Sequence, residues 1–139
     1  MAATGFPELV PLAKVCVTRG VIHRLGETPF GRRVVGSIAK GRWEGERLSG
    51  DIVGAGGDWA IPSAGNAMIL DVRQLLATDD GALIYVTYHG RCDRERGTYT
   101  VAPTFETSDS RYDWLNVVQA IGQGRNVGET IVYQMFEVR

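Results

Sequence analysis

Glycine constrains this chain more than any other feature: 18 of 139 residues are glycine, spread from end to end, and they cut it into short runs rich in Val, Ile, Thr and Tyr. Glycine supplies the backbone conformations of tight turns, and β-branched and aromatic residues suit a pleated surface, so the pattern reads as strand, turn, strand. Strands are expected over 12–18, 34–40, 47–53, 67–77, 82–90, 98–102, 115–121 and 130–138. Apolar residues keep helical spacing for no more than about two turns anywhere. The best helical segment, 112–121, is short and partly β-branched, which leaves room for at most one short helical turn. Evenly spaced strands joined by short turns predict an all-β meander. A closed antiparallel barrel of about eight to ten strands is favoured over a sandwich, because closure removes the exposed edges of a sheet.

A 44% hydrophobic, 22% charged composition is enough for one core in a polar coat, so residues 1–139 are expected to form a single domain. Fifteen basic against 16 acidic residues create no field that would draw the chain to nucleic acid or to an anionic membrane. The opening stretch lacks a basic segment followed by a long apolar run, and no run approaches the roughly 18 apolar residues of a spanning helix, so a cytoplasmic location is expected. Cys16 and Cys92 are too few for a disulfide framework and suit a reducing compartment, although one bridge between them stays open.

Cofactor chemistry finds little support. His23 and His89 are the two histidines, and His89-Gly90-Arg91-Cys92 offers two metal ligands with no second pair at metal-site spacing. Gly54-Ala55-Gly56-Gly57 has the wrong spacing for a dinucleotide fingerprint, and no phosphate-binding loop with Lys and Ser or Thr occurs. Neither histidine sits in a nucleophile motif, so a triad hydrolase is not expected. The expectation is no metal and no cofactor.

The hairpin over 67–90 is the most informative stretch. Thr78-Asp79-Asp80-Gly81 has the composition of a tight turn. With Asp79 and Asp80 as its central pair, Leu75 faces Ile84, Arg73 faces Val86, and Asp71 faces Tyr88. Asp71, Arg73 and Tyr88 then share one face with Ile69, Leu75, Ile84 and Val86, which marks that face as interior. Charged groups in such a setting are costly unless paired or used. The functional reading makes Asp71 an acid or base, Arg73 an anchor for a carboxylate, enolate or carbonyl oxygen, and Tyr88 a hydrogen-bond partner. The structural alternative is an ion pair that fixes register, or an outward-facing pair.

Gly56-Gly57-Asp58-Trp59 places a carboxylate and a flat apolar ring where a barrel mouth could use them, with Trp59 as a plug and Asp58 as a turn residue as the alternative. Tyr112 and Trp114 suit a pocket rim or a barrel cap, with cap favoured for Trp114. Glu106 is a candidate second carboxylate, against a surface or loop-bracing role. Substrate-binding candidates are therefore Asp58, Trp59, Glu106 and Tyr112.

Taken together, Gly57-Asp58-Trp59, Asp71-Val72-Arg73, Thr78-Asp79-Asp80-Gly81-Ala82, Phe105-Glu106-Thr107 and Tyr112-Asp113-Trp114-Leu115-Asn116 resemble the family called domain of unknown function 3237, found in bacteria and fungi. The resemblance runs from Leu12 to Val138. It implies a small antiparallel β-barrel, lipocalin-like or allene-oxide-cyclase-like, and it supplies no reaction. Such barrels elsewhere bind lipophilic ligands or catalyse cofactor-free cyclisations and isomerisations, but a fold alone does not fix a function.

Two functional expectations follow. The first is a cofactor-independent enzyme of the lyase, isomerase or cyclase type, acting by acid–base chemistry on a small hydrophobic carbonyl compound inside the barrel. The second is a non-catalytic binding or carrier barrel for a small hydrophobic or aromatic ligand. A structural module with a filled core is the third reading, and assembly as a homo-oligomer is left open.

Overall fold

Most strand-forming runs pair with a neighbour in sequence. The computed structural model describes residues 5–139. Its elements in chain order are β1 (Leu9–Thr28), β2 (Gly31–Glu44), β3 (Gly50–Pro62), β4 (Ala67–Thr78), β5 (Leu83–Asp93), β6 (Thr98–Val101), β7 (Thr104–Glu106), a 3-10 helix (Ser110–Val117), β8 (Ala120–Val127) and β9 (Thr130–Val138). All pairings are antiparallel, in the order β4-β3-β2-β1-β9-β8-β6-β5-β7, and the additional β4–β5 ladder closes the ring. The result is a closed up-and-down barrel of eight strands. The ninth, β7, continues along the edge of β5 beyond β6, after a break at Ala102-Pro103 where proline has no N–H for the ladder.

Several strands differ from the sequence expectation: β3 runs over Gly50–Pro62 where 47–53 is expected, and β7 is an additional strand. β1 is 20 residues long because it continues past Thr18 to pair with β2, itself 14 residues long. The strand expected over 115–121 is a 3-10 helix followed by the start of β8. The helix begins where the Asp109 carboxylate accepts the Arg111 N–H at 2.9 Å, satisfying a donor that the first turn leaves unpaired.

The β4–β5 hairpin corrects the register on which the catalytic set was built. Its loop has three residues, Asp79-Asp80-Gly81, with Gly81 at φ 95°, so that Ala77 pairs with Leu83 and Leu76 with Ile84. That is one residue away from the register of a two-residue loop, and such a slip changes which side chains share a face. Asp71 pairs with His89, Val72 with Tyr88 and Arg73 with Thr87. The inward face therefore carries Leu70, Val72, Gln74, Leu76, Ile84, Val86 and Tyr88, all buried. Asp71 and Arg73 point outward.

The two ends of the barrel are filled differently. At one end Trp43, Leu48, Leu76, Ile84, Leu115 and Met135 are fully buried, and Trp43 meets Phe105 edge to face at 5.7 Å. Burial of each such side chain contributes about 1.5–3 kcal/mol, and the 3-10 helix supplies Leu115 as a lid. The other end holds a cavity. Among the described residues no helix is long and apolar enough to cross a membrane, and Cys16 and Cys92 are both free thiols.

Candidate functional site

Strand alternation brings side chains from seven strands to one cavity of about 260 Å³ at the open end of the barrel. Along β1, Val17 and Arg19 line it. A bulge at Gly20-Val21 then shifts the phase, so that Ile22 and Arg24 line it next. The Ser37 hydroxyl accepts the Val21 N–H at 2.9 Å, which satisfies a donor in this bulge. Val34 and Ile38 come from β2, Ala60 from β3, Met68 and Val72 from β4, and Ile131 from β9, giving mostly apolar walls.

Asp58 is the one carboxylate on this lining. It is half-buried on β3, where Gly36 of β2 is its partner on one side and Val72 of β4 on the other. Gly36 has no side chain to cover it, and a Cβ there would meet only Ile22, at 3.8 Å. The Asp71 backbone N–H donates to Asp58 Oδ1 at 3.0 Å and fixes the carboxylate. Desolvation pushes the Asp58 carboxyl above the usual carboxylate range, and the nearby Asp71 charge adds to it; the Asp71 N–H and the Arg19 charge oppose without reversing it.

Three phenols stand with this carboxylate. Tyr133 lies between Tyr88 and Tyr99, edge to face with both, at 6.0 and 6.3 Å between ring centroids. Gly124 on β8 makes room for it, since a Cβ there would stand 2.6 Å from the Tyr133 ring. Burial raises the Tyr88 and Tyr133 hydroxyls above the ordinary phenol value, with the Asp58 charge contributing, so both stay protonated and can donate. Tyr99 accepts a hydrogen bond from Arg19 Nη2 at 2.7 Å.

A buried polar chain orients Tyr88. Gln74 is 1% exposed, and its Oε1 accepts the Trp43 indole N–H at 3.0 Å. An indole nitrogen only donates, so the Gln74 amide has one allowed orientation, with Nε2 toward Tyr88, to which it donates at 3.0 Å. Because the Tyr88 oxygen accepts from Gln74, its own hydrogen is left for another acceptor.

The remaining sequence candidates lie off this cavity. Asp71 and Arg73 form a loose outer pair at 3.9 Å, and His89 Nε2 is 3.3 Å from Asp71. Trp59 is on the outer face, with the Arg73 guanidinium 5.1 Å above its ring, and is not the plug of the barrel. Glu106 is exposed on β7. Tyr112 belongs to the closed end, where its hydroxyl donates to the Asp80 carboxylate at 2.9 Å. Trp114 lies there too, under Arg47 at 4.8 Å. Of the seven candidates, Asp58 and Tyr88 reach the cavity. Sequence reasoning missed Arg19, Arg24, Gln74, Arg94, Tyr99 and Tyr133. One of them had a signal: Ala13, Val15 and Val17 alternate as an apolar face that Arg19 continues. Among the described residues no three His, Cys, Asp or Glu side chains gather at metal-ligand spacing.

Fold and site together define a closed up-and-down barrel with a one-ended internal cavity, apolar in its walls and acid–phenol at its polar end. The chain belongs to the DUF3237 family, proteins of unknown function, whose sequence profile matches residues 7–138. A β-barrel-like protein from Acinetobacter baumannii is 31% identical with a TM-score of 0.90, each chain being covered in full. A hydroalkoxylation enzyme from Penicillium herquei is 26% identical over 95% of this chain and 84% of its own. The crystal structure of an enzyme from Penicillium herquei matches with a TM-score of 0.78 at 26% identity, over 99% of this chain and all of the other.

Proposed function

We propose that this chain is an acid–base enzyme that works without a cofactor, taking one small, largely apolar carbonyl compound into the cavity and adding an O–H group across a carbon–carbon double bond of the same molecule. The observation that carries this reading is Asp58, a carboxylate of raised pKa opening onto a mostly apolar cavity beside protonated phenols. A hydroalkoxylation enzyme among the relatives supports the reaction class.

The chemistry balances within one molecule. A C–O bond forms, the hydroxyl proton ends on carbon, and no oxidant, reductant or second substrate is consumed. Asp58 takes the hydroxyl proton and returns it to carbon, a role that suits a carboxyl whose pKa has moved toward neutrality. When the alkene is conjugated to a carbonyl, negative charge gathers on that oxygen during addition. The Tyr88 hydroxyl, turned from Gln74, is placed to donate to it. The cavity is slightly smaller than the roughly 300–1,000 Å³ of pockets for drug-sized ligands, which fits a molecule of one or two rings.

The test is ring closure of phenols that carry an ortho-alkenyl arm and a ring carbonyl group, followed by chromatography. Asp58→Asn is expected to lower turnover by about 10²–10⁴-fold while binding, read by calorimetry, is kept. Full turnover in that variant would remove Asp58 from the chemistry. Binding of the whole panel by the unaltered protein without turnover would make the barrel a carrier.

A further inference from the structure

We propose that the molecule held in this cavity is an anion, bearing a carboxylate or an enol or phenol acidic enough to ionise near neutral pH. The inference rests on the cavity being the ligand site but not on the reaction assigned to it.

Three arginines line the cavity, the half-buried Arg19 and the exposed Arg24 and Arg94, against the single carboxylate of Asp58. None of the three forms an ion pair among the described residues, whereas seven other arginines do. Their hydrogen bonds go to neutral groups. Arg19 Nη2 donates to the Tyr99 hydroxyl at 2.7 Å and to Asn126 Oδ1 at 2.6 Å. Arg94 donates through Nη2 to the backbone carbonyls of Ser63, at 2.6 Å, and of Gly65, and through Nε to that of Asn66 at 3.3 Å. These bonds hold both guanidiniums without neutralising them, and among the described residues they leave Arg19 Nη1 and Arg94 Nη1 without a partner. Arg24 makes no side-chain hydrogen bond among the described residues and stands exposed beside the rim residue Ile22.

The whole chain carries a net charge of −1, so this cationic lining does not follow from an excess of basic residues. A low-dielectric cleft lined by one sign of charge focuses its field on the opening and raises the local concentration of an oppositely charged ligand. Guanidinium groups also match carboxylate geometry through paired N–H donors. With a neutral ligand the lining keeps its excess of positive charge, whereas an anion offsets it.

The probe pair is 2-naphthoate and its neutral counterpart 2-naphthylmethanol, titrated calorimetrically into the intact protein at low ionic strength. The anion is expected to bind at least about tenfold more tightly, as charge-assisted hydrogen bonds imply, with the gap narrowing as salt is added. Arg24→Gln should weaken naphthoate severalfold and leave the alcohol unchanged. Arg91→Gln, a change outside the cavity lining, should affect neither. The proposal is overturned if the alcohol binds as tightly as the acid, if Arg24→Gln leaves the preference intact, or if neither probe binds. An anion preference in a protein that closes none of the alkenyl phenols keeps this inference and removes the reaction; ring closure without the preference does the reverse.

Discussion

The two ends of the barrel are built on the same strands by the same alternation, yet one is packed solid and the other is hollow. At the closed end the inward positions hold Trp43, Leu76, Ile84, Phe105 and Met135, and Leu115 covers them. Toward the open end the same strands present Gly36, Ala60 and Val72 alongside Asp58, Tyr88 and Tyr133. Small residues leave space, and polar residues give that space a chemistry. The difference teaches that a closed hydrogen-bonded ring tolerates a costly interior at one end when the other supplies the core. Gln74 joins the two, its amide bridging Trp43 of the packed half and Tyr88 of the hollow one.

Three substitutions test this division, from the largest effect to the smallest. Trp43→Ala should cost at least about 3–5 kcal/mol in urea unfolding, because it opens a cavity in the packed end and also strips Gln74 of its donor. A loss under about 1 kcal/mol would show that the closed end is not where stability resides. Arg73→Leu should cost no more than about 1 kcal/mol, since its side chain is 52% exposed and its partner Asp71 stands 3.9 Å away on the outer face. A loss of several kcal/mol would place the pair inside and contradict the hairpin register.

Asp58→Asn should have the smallest effect on stability, and of opposite sign. The carboxyl pKa is raised in the folded state, so the folded chain holds this proton more tightly than the unfolded chain does. Its contribution is fully present below the unfolded pKa and is lost as pH rises through the folded one. Asparagine keeps an acceptor for the Asp71 N–H and carries no charge. The melting temperature of the variant at pH 7 should therefore match or exceed that of the unaltered protein, with the gap closing toward about pH 4, the ordinary carboxylate range. A variant that is less stable at neutral pH and equal in acid would show that the ionised carboxylate is held favourably.

The fold was legible because barrel grammar is local: glycine turns and two-residue alternation place strands without knowledge of their partners. The site was legible only where it is also local. Asp58 stood out beside Gly56-Gly57, and Tyr88 was correctly turned inward. Its assumed companions were not, because Thr78-Asp79-Asp80-Gly81 accommodates either a two-residue or a three-residue loop, and the choice decides the faces of the hairpin. Tyr99, Tyr133 and Arg24 come from three separate strands and Arg94 from the turn after β5, and closure of the ring brings them together. No motif spans them, so their convergence is a property of topology and not of any stretch of sequence.

The ladder between β1 and β9, from Leu9 opposite Val138 to Thr18 opposite Thr130, has a kinetic meaning beyond its part in the architecture. Apart from β4–β5, β8–β9 and their like, which a short turn can nucleate, it is the one seam whose partners lie at opposite ends of the described chain. Glu8 and Arg139 exchange backbone hydrogen bonds just outside it, at 2.8 and 2.9 Å. By loop-closure entropy it is the costliest ladder to form, and contacts of such long sequence separation slow folding. Until this seam zips, β1 and β9 each present an unpaired edge that another chain can join; once it zips, that route to aggregation is shut.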